Sequence, residues 1–359
     1  MYVSGYKIGT ATDNDGKFNL PNLAPGKYDI LVQMIGYLPF NQNVIITDES
    51  VKIEVVLLEN ISSLNEVVIK HDPDREYHLS LFKAHFIGKS PNAINCKILN
   101  ENAISTHFDR EKNILTVSAN EFVIVENKAL GYRIKYMLQA FEYNLKTRII
   151  YYAGLPTFEE IKGSIARTKS WEKKRILAYN GSMQHFYTSL FHDRTEENGF
   201  QIYKLVKTPN PQRQTEEIIN SHIKRLSQKQ IVFNGSDSLS YWLKQKKLTP
   251  LINTLIKQPI LTDTLVKTYT GDMKQINFRD ILYVVYKNER EHKDYQASGN
   301  QISRPADLRN YQISLINLLQ GPVAFYANGA LDDPRTTLYE GYWVYEKIAD
   351  LVPLDYIPK

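Results

Sequence analysis

Along the first stretch of the chain, apolar and polar positions alternate in short runs broken by turn residues. Residues 8–12 read as a short strand. Asp13-Asn14-Asp15-Gly16 reads as a tight turn, because an Asp-Gly step supplies the positive φ a hairpin needs. Residues 17–20 alternate out and in, and Leu23-Ala24-Pro25-Gly26 marks a second turn. Residues 28–34 predict a strand, interrupted at Ile35-Gly36-Tyr37 where a glycine allows a bend. Residues 44–46 and 51–57 predict two more. Short strands about ten residues apart, with turns between, indicate a small β-sandwich. Met1-Tyr2-Val3-Ser4-Gly5 reads as the end of a strand entering a turn. About 60 residues bury little surface, so the unit is expected to be an incomplete sandwich, short of a strand or two, on a chain that has been trimmed or assigned the wrong start.

Beyond it the period changes. Residues 77–86 predict a short helix ending before Gly88. Residues 114–118 and 122–125 read as strands. Tyr132, Ile134, Tyr136, Leu138 and Ala140 then alternate with Arg133, Lys135, Met137, Gln139 and Phe141, the pattern of a strand with one wet face. Near Thr168 the spacing becomes helical. Residues 170–179 form one helix, and Ser182 caps another that runs through His185, Phe186, Ser189 and Leu190 toward a stop at Asn198-Gly199. Pro209 and Pro211 mark a loop, and residues 239–247 a short basic helix. Residues 281–286 form a strong strand. The very polar residues 289–309 read as an exposed loop, and residues 323–327 run into an Asn328-Gly329 turn. The fold class is therefore α+β: an incomplete sandwich over residues 1–59, a linker over 60–74, and a mixed α+β domain over 75–359.

Composition narrows the function classes. The 359 residues are 43% hydrophobic and 23% charged, which excludes a disordered chain. A single cysteine, Cys96, excludes an intramolecular disulfide and a multi-cysteine metal site, and its setting between Asn95 and Lys97 reads as a packed thiol. A net charge of +5, spread over this length, is too weak to argue for nucleic acid. No apolar run approaches the roughly 20 residues of a membrane-spanning helix, and no secretory signal pattern is visible.

Three segments in order carry a resemblance: Gly9-Thr10-Ala11-Thr12-Asp13-Asn14-Asp15-Gly16-Lys17-Phe18, then Leu23-Ala24-Pro25-Gly26-Lys27-Tyr28, then Ile35-Gly36-Tyr37. Together they resemble the carboxypeptidase regulatory-like domain, a transthyretin-like β-sandwich common in exported proteins of Bacteroidota-type bacteria, where it often precedes the plug of TonB-dependent receptors. Leu64-Asn65-Glu66-Val67-Val68-Ile69 resembles the Leu-x-Glu-Val-Val segment that follows the sandwich in those receptors. The resemblance covers about residues 1–70, lacks the family's opening strand, and implies a place in the periplasm or at the outer-membrane periphery. Glu126-Asn127-Lys128-Ala129-Leu130-Gly131-Tyr132, Tyr179-Asn180-Gly181-Ser182-Met183-Gln184-His185-Phe186 and Gly341-Tyr342-Trp343-Val344-Tyr345-Glu346-Lys347 are similar to the region after the sandwich in many Bacteroidota proteins, which implies no activity and no cofactor.

The regulatory-like resemblance invites a test for zinc peptidase chemistry, which needs two imidazoles and a carboxylate around an open metal position. None of the eight histidines has Glu three residues on; His71, with Asp74, comes nearest. His-Glu-x-x-His is absent too. Gly88-Lys89-Ser90 resembles the end of a phosphate loop, but Lys83 stands where the earlier glycine is required. Asp13-x-Asp15-Gly16 echoes a calcium loop, yet Ala11 and Asn22 occupy its outer ligand positions, so it reads as a hairpin turn. No Gly-x-Ser-x-Gly elbow is present. His185 and His192, seven apart on one helix face, with Asp193 beside them, could ligate a metal or act as an acid–base pair; alternatively they are core-edge or capping residues. Among 24 tyrosines, Tyr339, Tyr342 and Tyr345 cluster with Trp343 and suit a binding surface or, equally, the strands of a half-buried sheet. Lys244, Lys246 and Lys247 read as a solvated helix face. The expected protein is a non-catalytic binding or assembly protein of the cell envelope that uses its sandwich as an adaptor toward a protein, peptide or glycan, without a cofactor. The alternatives are a hydrolase centred on His185 and His192, and a TonB-receptor-like outer-membrane protein. A barrel needs eight or more lipid-facing strands and has little place for the mid-chain helices.

Overall fold

The computed structural model describes residues 1–21, 23–47, 49–60, 74–228, 238–298 and 301–358. Asn22, the segment 64–69 and His71 lie outside them.

In the first unit, strands β1 (Tyr2–Val3), β2 (Gly26–Val32) and β3 (Phe40–Ile46) form an antiparallel sheet in that order. The Asp13 turn is closed by its own carboxylate, which accepts the N–H of Asp15 at 3.0 Å and of Lys17 at 2.8 Å. Gly36 supplies the bend, at φ +85°. The second layer departs from expectation. Residues 8–12 pair with β1 only through a Gly9–Tyr2 bridge, and residues 17–20 and 51–57 are not strands. Their alternating side chains still pack, with Phe18, Leu20, Ile53, Val55 and Leu57 lying against a core of Met1, Val3, Ile30, Val32 and Val44. The returning chain is tied at its end, where Leu38 N–H donates to Leu58 O at 2.8 Å and Asn60 N–H to Gly36 O at 2.8 Å.

In the second unit, helix α1 (Arg75–Phe86) lies against a sheet built from β4 (Cys96–Ile98), β5 (Ile104–Asp109), β6 (Ile114–Ala119), β7 (Val123–Asn127), β8 (Tyr132–Asn144) and β9 (Ile150–Glu160). The order is β4-β7-β8-β6-β5, with β9 paired to β8. Strand β8 buries Tyr132, Ile134, Tyr136 and Leu138 on one face, as its alternation predicts. A register shift between Leu138 and Ala140 breaks the period, so that Phe141, expected on the wet face, is fully buried and Ala140 is only half-buried. Phe82 stacks on Phe86 at 4.8 Å and meets Phe141 edge-on at 4.9 Å. Helix α2 (Ile165–Tyr179) closes over the β7–β8 turn. Trp171 donates its indole N–H to Lys128 O at 2.9 Å, and Arg175 lies 3.9 Å from the Tyr132 ring.

The third unit runs through α3 (Met183–Phe191), β10 (Phe200–Pro209), α4 (Glu216–Gln228), α5 (Leu239–Lys247), β11 (Leu251–Ile256), α6 (Thr262–Leu265), β12 (Val266–Thr268), β13 (Met273–Ile276), β14 (Ile281–Arg290), α7 (Lys293–Ala297), β15 (Tyr311–Leu318), β16 (Val323–Tyr326), β17 (Thr337–Gly341) and α8 (Tyr342–Tyr345). A five-stranded antiparallel sheet has the order β11-β10-β14-β15-β17, and a smaller one β12-β13-β16. Two expectations need correction. Helix α3 stops at Phe191 rather than near Gly199, because Asp193 turns the chain at φ +55°, and Asn198-Gly199 instead leads into β10. Residues 289–309 are not a plain exposed loop: β14 extends to Arg290, and α7 buries Tyr295.

The last residues stitch the units together. Ile348, Ala349 and Val352 enter the core of the second unit, where Asn127 Nδ2 donates to Ala349 O at 2.8 Å. Leu354 N–H then donates to Gly5 O in the first unit at 2.7 Å. The described residues form a mixed α+β chain with several antiparallel sheets, and none of their helices is long and apolar enough to cross a membrane.

Candidate functional site

Ser182 caps α3 by accepting the N–H of His185 at 3.1 Å, which sets His185 in the first turn, facing inward. The imidazole is 9% exposed and lies among the rings of Tyr179, Phe200 and Tyr286, at 4.9, 5.0 and 5.9 Å. Its Nδ1 accepts the backbone N–H of Gly181 at 3.1 Å. Burial pushes its pKa down to about 4, so the ring is neutral at pH 7. His192 caps the other end of α3 and is exposed, and exposed Asp193 accepts the hydroxyl of Thr262. His185 thus faces the core with its Nδ1 taken by Gly181, whereas His192 lies exposed at the C-cap, beyond the last residue of α3. Among the described residues, no group of three His, Cys, Asp or Glu side chains is arranged to hold a metal.

The C-terminal aromatic residues face one another and the core. Trp343 donates its indole N–H to Gly181 O at 2.7 Å. Tyr339 shares a hydroxyl hydrogen bond of 3.1 Å with Tyr187, and burial pushes its pKa up to about 12. Tyr342 meets Tyr295 edge-on at 5.2 Å, and Tyr345 donates to Lys89 O at 3.3 Å. Tyr342 and Trp343 are buried and Tyr339 and Tyr345 half-buried, which leaves little of the cluster for a partner. Cys96 is half-buried, and burial, assisted by the charge of Asp350, pushes its thiol up to about 12. Lys244, Lys246 and Lys247 are exposed on α5.

A groove that sequence reasoning did not identify lies on one face of the five-stranded sheet. Leu205 and Lys207 from β10, Asn253 and Leu255 from β11, Leu315 from β15 and Glu340 from β17 line it, with residues 301–305 as its wall. The wall is anchored by an ion pair between Arg304 and the fully buried side chain of Glu291, at 2.7 Å. Gln301 Nε2 donates to the same carboxylate at 2.9 Å, and Arg304 also donates to Ile302 O and Tyr311 O at 3.0 and 3.1 Å. Beneath it, burial pushes the Tyr283 hydroxyl up to about 12. Because the Arg304–Glu291 charges are committed to holding the wall, the groove offers Asn253 and Ser303 as hydrogen-bonding groups, beside a Lys207–Glu340 ion pair of 3.9 Å whose carboxylate also accepts from Asn317 Nδ2 at 3.1 Å. That arrangement suits recognition of a polar ligand better than acid–base chemistry. Its residues come from segments more than a hundred positions apart, so no local motif could have announced them.

No curated protein and no solved structure matches the chain. Its first unit is assigned by a family model, which matches residues 1–69 as a CarboxypepD_reg-like domain, the carboxypeptidase regulatory-like domain.

Proposed function

We propose that this is a non-catalytic binding or assembly protein of the cell envelope in which the carboxypeptidase regulatory-like unit acts as a rigid adaptor. The observation that carries the proposal is the joint at Gly5. Its N–H donates to Pro156 O of β9 at 2.6 Å and its carbonyl accepts from Leu354 at 2.7 Å. One residue on, Tyr6 O accepts the N–H of Phe158 at 3.2 Å. Further contacts reach the third unit, where Asn328 Nδ2 donates to Tyr6 OH at 2.8 Å and Lys27 pairs with Asp332 at 2.8 Å. A unit held by backbone hydrogen bonds on two sides does not pivot freely, so a partner on the sandwich and a ligand in the groove would be held at a fixed separation. The packing of His185 into an aromatic cage supports the non-catalytic reading over the hydrolase.

The test is a photo-crosslinking residue at Ile35, which is 98% exposed on the sandwich, in the full chain expressed in its source cells. A discrete protein adduct in the envelope fraction is expected. Recovery of the chain in the cytosol without adducts overturns the proposal.

A further inference from the structure

Positive charge is concentrated in one arm of the third unit. Residues 200–260 hold ten lysines and arginines against three carboxylates, whereas the whole chain holds 44 against 39. Lys204, Lys207 and Lys257 are paired with Asp280, Glu340 and Asp307 from outside this stretch, which leaves the excess of positive charge on and around α4 and α5. Within this arm α4 and α5 pack on each other. His222 stacks on Trp242 at 4.0 Å, and Gln245 bonds to the backbone of Gln212 and Gln214 at 3.1 and 3.0 Å. Trp242 and Gln245 are the buried stripe of α5. The stripe turned outward is mixed. Leu239 and Leu243 lie one turn apart, 38% and 44% exposed, and Lys246 and Lys247 follow one turn after Leu243. Tyr241 and Lys244 make a second exposed pair of the same kind. Lys246 donates to Asn220 Oδ1 at 3.2 Å, while Lys244 and Lys247 meet no carboxylate among the described residues. Ile218 on α4, and Leu251 and Ile252 where α5 leads into β11, are also exposed.

We propose that this arm docks on an anionic lipid bilayer surface, with Leu239 and Leu243 entering the headgroup layer and the lysines reaching lipid phosphates. Interleaved leucines and lysines on a helix face are what such a surface rewards: apolar side chains leave water while lysine stems extend to the charged layer. A nucleic acid would reward the lysines but not the leucines. A second copy of the chain would bring two positive helix pairs together, at a Coulomb cost. The association is peripheral, and it does not depend on the adaptor reading, whose test lies in another unit.

The experiment is flotation of the full chain with vesicles of phosphatidylcholine alone and of phosphatidylcholine mixed with phosphatidylglycerol, at low and high salt. The protein is expected to float with the anionic vesicles about tenfold more than with the neutral ones, and to be released by salt. The paired changes Lys244→Glu with Lys247→Glu, and separately Leu239→Ser with Leu243→Ser, are each expected to lower flotation about tenfold without moving the melting temperature. The lipid and salt comparisons on the unaltered chain stand even if a variant misfolds. Equal flotation with both vesicle types, no flotation, or dimerisation by light scattering in place of vesicle binding overturns the proposal.

Discussion

Leu354 and Gly5 occupy each other's space: the leucine donates its N–H to the glycine carbonyl at 2.7 Å, and its side chain fills the position a Cβ on Gly5 would take. Gly5 also sits at φ +81°, a conformation L side chains rarely adopt. One small residue thus closes the first unit onto the C-terminal segment and β9 together.

Gly5→Val is expected to destabilise this joint by about 2–4 kcal/mol, from backbone strain and the displaced leucine. The consequence is loss of coupling rather than global unfolding. Differential scanning calorimetry should show the first unit melting ahead of the rest in the variant and with it in the parent chain. A single unshifted transition in both would show that Gly5 does not couple the units.

His185 predicts a pH dependence. Its folded pKa, about 4, lies below the ordinary 6.5, so the unfolded chain binds the proton more tightly. Stability tied to this ring is complete above pH 6.5 and is lost as the pH falls toward 4, by about 3 kcal/mol. His185→Phe should flatten that part of the curve, at a cost of about 1–3 kcal/mol near pH 7 for the stranded Gly181 N–H. Chemical denaturation of both proteins at pH 7 and pH 4.5 checks it; parallel curves would remove His185 as the titrating group.

The parts legible in the sequence are those decided locally. Ser182 announces the start of α3 because a cap bonds within its own turn. Strand β8 is legible as far as Leu138 because its two-residue period coincides with one buried face, whereas the register shift before Ala140 that buries Phe141 leaves no local signal. Residues 51–57 show the limit of that signal: the period reports which side chains turn inward, and here the half-buried Ile53, Val55 and Leu57 lie on a segment that is not a strand. The end of α3 depends on Asp193 taking a left-handed turn, which an aspartate allows but does not demand. Polarity misleads in residues 289–309, because Glu291 and Arg304 neutralise each other inside the protein and only the fold brings them together.

That pair gives a third prediction. Arg304→Met leaves the Glu291 carboxylate buried beside Gln301 without its counter-charge, and is expected to cost about 3–5 kcal/mol. The double change Glu291→Leu with Arg304→Met should recover most of the loss, because the pair serves to fix the groove wall rather than to add net stability. Urea denaturation of the single and double variants measures both. A double variant no better than the single one would mean that the wall depends on the polar network as a whole.

Glu346 supplies the last prediction, opposite in sign to His185. Burial and the neighbouring carboxylates Asp350 and Glu289 hold its pKa well above the ordinary 4.5. Asp350 is itself raised by burial, although it accepts hydrogen bonds from Ser90 and Asn92, both at 2.9 Å. A carboxylate whose folded pKa is raised favours the folded state at low pH, and that contribution is lost as the pH rises through the folded value. Glu346→Gln removes the charge that must otherwise form in this crowded place. It should stabilise the protein by about 1 kcal/mol at pH 8 and by little at pH 4. Thermal melts of the parent and variant at both pH values decide it, and an equal shift at pH 4 would trace the effect to packing rather than to the buried negative charge.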